Sequence, residues 1–356
     1  MIAIAGNSSA RIDHTFVPPC KTYYIKTAKL RIIEAVLHRF HFMLLPYYYM
    51  RLLKIAVKIR PTVIFGNYPN EVMFVSAYLV SKKLKLPFYA YMHDLWEENM
   101  RYSGRKKFAL KWEKEILTHS KRLICCTKNQ QEYYNKKYGL KSDLLLHPVM
   151  DERIAEFKGL TKKADGLEKK VVFVGSLSSN MNEDALISIS KAMALLPQNY
   201  KFYWYPIADI PVDYLKSKGF DISRILIKVV STTEMLREIS EANILIAPLS
   251  FKNCSEHEVE TVFSNKLLIY FTSGTPILVY SPKDSFHSVS ARKDKWGLVV
   301  DEDNIENLAV AIEKLSNDDE LRNELVKGAI LEAKRRTASS QAEVLYNWVK
   351  HDTWID

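Results

Sequence analysis

The sequence predicts an α/β protein built as two doubly wound domains in tandem, and three observations predict it. Short apolar runs alternate with amphipathic helical periods along the whole chain, the pattern of parallel sheets covered by helices on both faces. A polar, charged stretch, Asp151 to Lys170, interrupts the alternation once, and the pattern restarts at Val171-Val172-Phe173-Val174-Gly175. The 356 residues are too many for one ordinary domain and comfortable for two.

In the first half, Ile2–Ala5, Thr62–Phe65, Phe88–Met92, Arg122–Cys126 and Leu144–Leu146 read as buried strands. Helical periods over Glu71–Lys83, Lys106–His119 and Gln130–Tyr138 separate them. In the second half, strands are expected at Val171–Val174, Phe202–Tyr205, Ile225–Val229, Ile244–Ala247, Ile277–Tyr280 and Gly297–Val300. Helices are expected at Glu183–Leu195, Thr233–Glu241 and Ile305–Leu315, and two more, Asp319–Arg336 and Ser339–Trp348, close the chain. The expected division is therefore 1–152 for the first domain, 153–170 for a linker and 171–339 for the second domain. No repeat of solenoid length is present.

Composition narrows the class. With 47% hydrophobic and 26% charged residues, the chain is that of a soluble globular protein. No apolar run reaches the roughly 18 to 20 residues needed to span a bilayer. The apolar start Met1–Gly6 lacks the basic flank of a signal peptide. Cys20, Cys125, Cys126 and Cys254 form no CxxC pair, so reduced thiols and a cytoplasmic setting are expected.

Charge is unevenly spread. Residues 1–150 hold 25 Lys+Arg against 10 Asp+Glu, whereas the remainder holds 26 against 31. Within Lys21–Arg60, basic residues (Lys26, Lys29, Arg31, Arg39, Arg51, Lys54, Lys58) mingle with aromatics, and Glu34 alone is acidic. Amphipathic helices of that composition suit an anionic membrane surface; a plain solvated basic face is the alternative. No nucleic-acid-binding module accompanies the charge, so no nucleic-acid partner is expected.

Chemistry is expected outside the carboxyl ends of the strands, where open α/β sheets bind ligands. The strand Val171–Val174 runs into Gly175-Ser176-Leu177-Ser178-Ser179-Asn180-Met181-Asn182, a small-residue turn that lets backbone N–H groups approach a phosphate or simply reverses the chain. Phe263 to Ser273 reads as a helix with Ser264, Asn265 and Lys266 in its first turn, Gly274 at the residue after its end and Pro276 beyond. Its N-terminal dipole and Lys266 suit a diphosphate. Upstream, Glu256, Glu258 and Glu260 suit sugar hydroxyls or form a solvated acidic loop.

Three segments of the second half, spaced in a similar way, resemble the donor domain of family 4 glycosyltransferases. They are Val171–Leu177, Ala242-Asn243-Ile244-Leu245-Ile246-Ala247-Pro248-Leu249, and Lys266-Leu267-Leu268-Ile269-Tyr270-Phe271-Thr272-Ser273-Gly274-Thr275-Pro276-Ile277-Leu278-Val279. The resemblance implies the GT-B fold, in which two Rossmann-like domains face each other across a cleft and a final helix, here within 340–356, crosses back to the first domain. It further implies a nucleotide-sugar donor, no obligatory metal or other cofactor, and retention of anomeric configuration. Donor contacts would then come from Gly6, Asn7, Gly175, Ser176, Asn182, Ser231, Glu256, Glu258, Ser264, Asn265 and Lys266. Two departures stand out. Where many members carry an acidic pair, this chain has Thr261 and Ile269, and Ile269 cannot accept ribose hydroxyls. Where many carry an Arg after the first glycine, it has Ser176.

In the first half, Tyr91-Met92-His93-Asp94-Leu95-Trp96-Glu97-Glu98-Asn99 resembles the His-Asp-Leu-Trp segment of many members. His93 and Asp94 are the expected catalytic pair: one orients sugar or acceptor, the other stabilises positive charge at the anomeric carbon. A general base for an inverting displacement, or a structural cap, are the other readings. Asn67, Tyr68 and Trp96 are the expected acceptor contacts. The expected activity is sugar transfer to a glycan or lipid-linked acceptor in cell-surface polysaccharide assembly, peripheral on the inner membrane face. A non-catalytic scaffold, and a nucleotide-sugar epimerase or hydrolase of the same fold, are the alternatives.

Overall fold

A computed structural model describes residues 2–6, 21–25, 41–100, 103–155 and 168–351. The chain divides into two compact units, residues 1–144 and 145–354.

In the first unit, β1 (Ile2–Gly6) pairs in parallel with β2 (Lys21–Ile25). There follow α1 (Leu45–Ile59), β3 (Ile64–Tyr68), α2 (Glu71–Leu84), β4 (Phe88–Met92), α3 (Ser103–His119), β5 (Arg122–Cys125), α4 (Lys128–Tyr138) and β6 (Asp143–Leu144). Strands β3 to β6 form a parallel sheet in that order. Local chemistry explains the helix starts. Asn70 accepts the Met73 N–H at 3.2 Å to cap α2, and Thr127 accepts the Gln130 N–H at 3.2 Å to cap α4. Strand β4 is buried at every position, as its unbroken apolar run requires. Helix α1 lays Tyr48, Leu52 and Ala56 against Val72 and Val80 of α2. Strand β2 was not expected: its Thr-Tyr-Tyr-Ile run is of β-forming residues, and pairing with β1 outweighs the basic-helix reading of that stretch.

The second unit runs α5 (Asp151–Ala155), β7 (Lys169–Val174), α6 (Glu183–Leu195), β8 (Tyr200–Tyr205), α7 (Val212–Ser217), β9 (Ile225–Ile227), α8 (Thr232–Glu241) and β10 (Ile244–Pro248). It continues through α9 (Glu256–Thr261), α10 (Lys266–Tyr270), β11 (Ile277–Tyr280), α11 (Phe286–Asp294), β12 (Leu298–Val300), α12 (Ile305–Asn317), α13 (Asp319–Lys334) and α14 (Ala338–His351). Its six parallel strands lie in the order β12-β11-β10-β7-β8-β9. Chain order therefore reverses between β7 and β10, the switch point at which doubly wound sheets bind ligands. Alternation along β7 sends Val171 and Phe173 into the core under α6 and α12, and Val172 into the core that also holds Leu267, Tyr270 and Ala333.

The last helix is fastened to the start of this unit. Leu146 N–H donates to Gln341 at 2.9 Å, Asp151 accepts the Ser339 N–H at 3.0 Å, and Val149 bridges Thr337. The helix expected over Phe263–Ser273 is shorter than expected. It spans only Lys266–Tyr270; Phe263 ahead of it is buried beside Leu267, Tyr270 and Phe271, and the Ser264 N–H donates to His287. The helix ends at Tyr270 with Phe271 as its cap, so Gly274, at φ 76°, lies three residues beyond the cap rather than directly after the helix.

Candidate functional site

The switch point is built from the end of β7 outward. Val174 N–H donates to the Tyr270 hydroxyl at 3.0 Å, which docks α10 against β7. Gly175 N–H donates to the Tyr205 carbonyl at 3.1 Å, and the Gly175 carbonyl accepts Trp204 Nε1 at 2.8 Å. Gly175 has φ 141°, and a Cβ there would stand 3.2 Å from the Phe173 ring and 3.4 Å from Lys266 Cε. The angle calls for glycine, and a Cβ would also crowd the Phe173 ring.

Lys266 stands over this glycine, its Nζ 4.8 Å from the Phe173 ring centroid. Burial pulls its ammonium down to about 8, and no neighbouring carboxylate offsets that shift. His287 lies next to it. Its Nε2 accepts the Ser264 N–H at 3.1 Å, and burial, then the Lys266 charge, push it down to about 3. The imidazole is therefore neutral, and its buried Nδ1 has no partner among the described residues. The arrangement leaves a half-buried cation, seated on a glycine at the switch point, with no anion of its own among the described residues.

The other expected donor residues are scattered in role. Asn182 spends its side chain inside the turn, accepting the Ser178 N–H at 2.9 Å and donating to the Ser176 carbonyl at 3.2 Å. Ser231 caps α8 by accepting the Glu234 N–H at 3.2 Å. Glu258 forms a capping box with Ser255 at the start of α9, while Glu256 and Asn265 are exposed. Ile269 packs on the core. Ser176 and Ser179 line a groove of about 560 Å³ with Glu183, Asp209, Pro211 and Tyr214. The sequence reading missed Glu183, Asp209, Tyr214 and His287. Only the fold brings His287 to Ser264, across 23 positions.

In the first unit, His93 and Asp94 follow β4 and are half-buried. The His93 ring lies 4.3 Å from that of Tyr91, and burial pulls its imidazole down to about 4. It is neutral at physiological pH. Gln130 Nε2 donates to the His93 carbonyl at 2.9 Å. Two expected acceptor contacts are corrected. Trp96 is 0% and Tyr68 1% exposed; their rings pack 5.4 Å apart, with Phe74 against both. Tyr68 is a core residue because β3 turns Gly66 and Tyr68 inward and Phe65 and Asn67 outward, and Trp96 packs onto Tyr68 and Phe74 from the loop after β4. Asn67 remains exposed at that strand's end. Gly6 ends β1, and Asn7 lies outside the described residues.

Among the described residues, one group of side chains has metal-ligand spacing: Glu97, Glu98 and Glu113. Lys137 Nζ fills it, 2.9, 2.8 and 2.8 Å from the three carboxylates. Among the described residues no helix is long and apolar enough to cross a membrane.

Residues 18–145 match the family described as Glycosyltransferase Family 4, and residues 168–318 match Glycosyl transferases group 1. The chain is a family 4-like GT-B glycosyltransferase. Solved structures agree on the fold. Sucrose-phosphate synthase from Thermosynechococcus elongatus aligns with the glycosyltransferase over 95% of this chain and 85% of its own, at TM-score 0.70 and 16% identity. A glycosyltransferase from Rickettsia africae aligns over 94% and 86%, at TM-score 0.66 and 11% identity. Anabaena HepE in complex with UDP-glucose aligns over 92% and 86%, at TM-score 0.63 and 12% identity. No curated protein sequence matches the glycosyltransferase closely enough to serve as a relative.

Proposed function

We propose that this glycosyltransferase moves a sugar from a nucleotide-sugar donor to a glycan or lipid-linked acceptor, with retention and without a metal, in cell-surface polysaccharide assembly. The observation that carries the reading is the Lys266 ammonium, seated on Gly175 at the switch point with no carboxylate to neutralise it among the described residues. A diphosphate supplies the missing charge, and its departure as a leaving group is eased by a cation already desolvated. Ser176 and the turn after β7 border the same point. The complex of HepE with UDP-glucose supports a nucleotide sugar as the donor class.

His93 and Asp94 complete the proposal in the first unit. A neutral imidazole orients a hydroxyl by hydrogen bonding without adding charge, and Asp94 stabilises the cationic sugar. Helix α1 supports attachment to an anionic membrane surface at the inner face. Met43 ahead of it and Tyr47, Met50 and Val57 on it are exposed, interleaved with exposed Arg51, Lys54 and Lys58, and residues 41–60 contain no acid.

The test is release of nucleoside diphosphate from a panel of nucleotide sugars, with and without a membrane lipid extract as acceptor source. Release that depends on the extract supports transfer. Release without it identifies a hydrolase, no release with a changed donor sugar identifies an epimerase, and neither release nor change with any donor favours the non-catalytic scaffold.

A further inference from the structure

We infer that Glu113 and Lys137 are positioning residues that clamp the loop carrying His93 and Asp94. The inference rests on the proposed role of those two residues. The loop from His93 to Glu98 is held at both ends. At its start, Gln130 of α4 donates to the His93 carbonyl at 2.9 Å. At its end, the Glu97 N–H donates to Glu113 of α3 at 2.9 Å, and Met100 N–H closes a turn onto the Glu97 carbonyl at 3.1 Å. Between the two ends, Leu95 and Trp96 are buried plugs, so the half-buried His93 and Asp94 have little freedom left.

Lys137 is the centre of the clamp. Its ammonium bonds Glu97 and Glu98 from the loop and Glu113 from α3, all within 2.9 Å. The Tyr138 hydroxyl adds a bond to Glu113 at 2.7 Å, the Tyr133 hydroxyl donates to Glu98, and Lys106 reaches Glu97 at 3.4 Å. Glu113 itself is 0% exposed. This is a costly way to hold a loop. Burial raises Glu98 above the usual carboxylate range, with the Glu113 charge adding to it and Lys137 opposing. Apolar packing would anchor the segment more cheaply but with less defined geometry. What three carboxylates around one ammonium provide is a single register of the loop relative to α3 and α4, the property a site needs to hold reacting groups in place.

The experiment follows the His93 imidazole by NMR in the full-length protein, its resonance assigned by loss in His93→Gln. In the wild type, burial should hold its midpoint down at about 4. In Lys137→Met the loop opens to water, and the midpoint rises by about one pH unit or more toward its ordinary value. Sugar transfer falls about tenfold or more in kcat with nucleotide affinity unchanged. Lys137→Arg, which keeps the cation, stays near wild type. If Lys137→Met fails to fold, Glu98→Gln, which leaves Lys137 two carboxylates, shows the same rise in smaller degree. An unchanged His93 midpoint in a folded Lys137→Met or in Glu98→Gln overturns the clamp. Because the titration needs no turnover, absent transferase activity would count against the proposed function alone.

Discussion

Replacing Lys266 with methionine should make the protein more stable while removing its donor affinity. Burial lowers the lysine from an ordinary 10.5 to about 8, so the folded state carries an ammonium it disfavours. At 1.36 kcal/mol per pK unit the full burden is about 3 kcal/mol, and partial exposure of the side chain reduces the expected gain to about 1–3 kcal/mol. Methionine keeps the length and the contact with the Phe173 ring without the charge. For a domain of this size, each kcal/mol is worth about 2–4 °C in melting temperature. The sign has a pH signature. Between about 8 and 10.5 the unfolded lysine holds its proton and the folded one has lost it, so wild-type stability rises with pH through that window. Thermal unfolding of both proteins should therefore show Lys266→Met ahead at pH 7, with the gap closing toward pH 10.5. A variant less stable than wild type at pH 7, or a gap that ignores pH, would refute the picture of a half-buried ammonium with no acidic partner among the described residues.

Other consequences are equally checkable. Trp96→Ala should cost about 3–5 kcal/mol in chemical denaturation, as a fully buried aromatic among Tyr68, Phe74 and Phe108; a cost under about 1 kcal/mol would return Trp96 to the surface. Glu258→Ala should lose about 1 kcal/mol of stability with its capping box and leave nucleotide affinity intact, and a large loss of affinity would instead place Glu258 at the donor. Lys54→Glu/Lys58→Glu should abolish low-salt sedimentation with phosphatidylserine vesicles, which high salt should also reverse in the wild type; wild-type protein that stays in solution at low salt would contradict the α1 surface.

Much of the fold was legible because it depends on local pattern. Strands Phe88–Met92 and Ile277–Tyr280 and helix Glu183–Leu195 emerge with the bounds their periodicity implies. Elements that depend on partners were harder to read. Helix α10 is confined to Lys266–Tyr270, and the group that accepts the Ser264 N–H ahead of it, His287, lies far along the chain. The register of β3 decided Tyr68: a strand expected at Thr62–Phe65 but formed at Ile64–Tyr68 places that ring in the core rather than at a binding surface. The site was legible only in outline. Gly175 and Lys266 were identifiable as a turn and a cation, but their contact is made by tertiary packing. The clamp on His93 joins residues 24 and 40 positions apart, and no local spacing encodes it.

In the proposed function the second unit holds a nucleoside diphosphate through Lys266 at the end of β7. Isothermal titration calorimetry of the full-length protein with UDP, GDP, ADP, CDP and dTDP at pH 7 tests it directly. At least one should bind, and its affinity should fall about tenfold or more in Lys266→Met, as expected for loss of a charge-assisted contact. Binding that survives the substitution unchanged, or no binding by any of the five, would contradict the account.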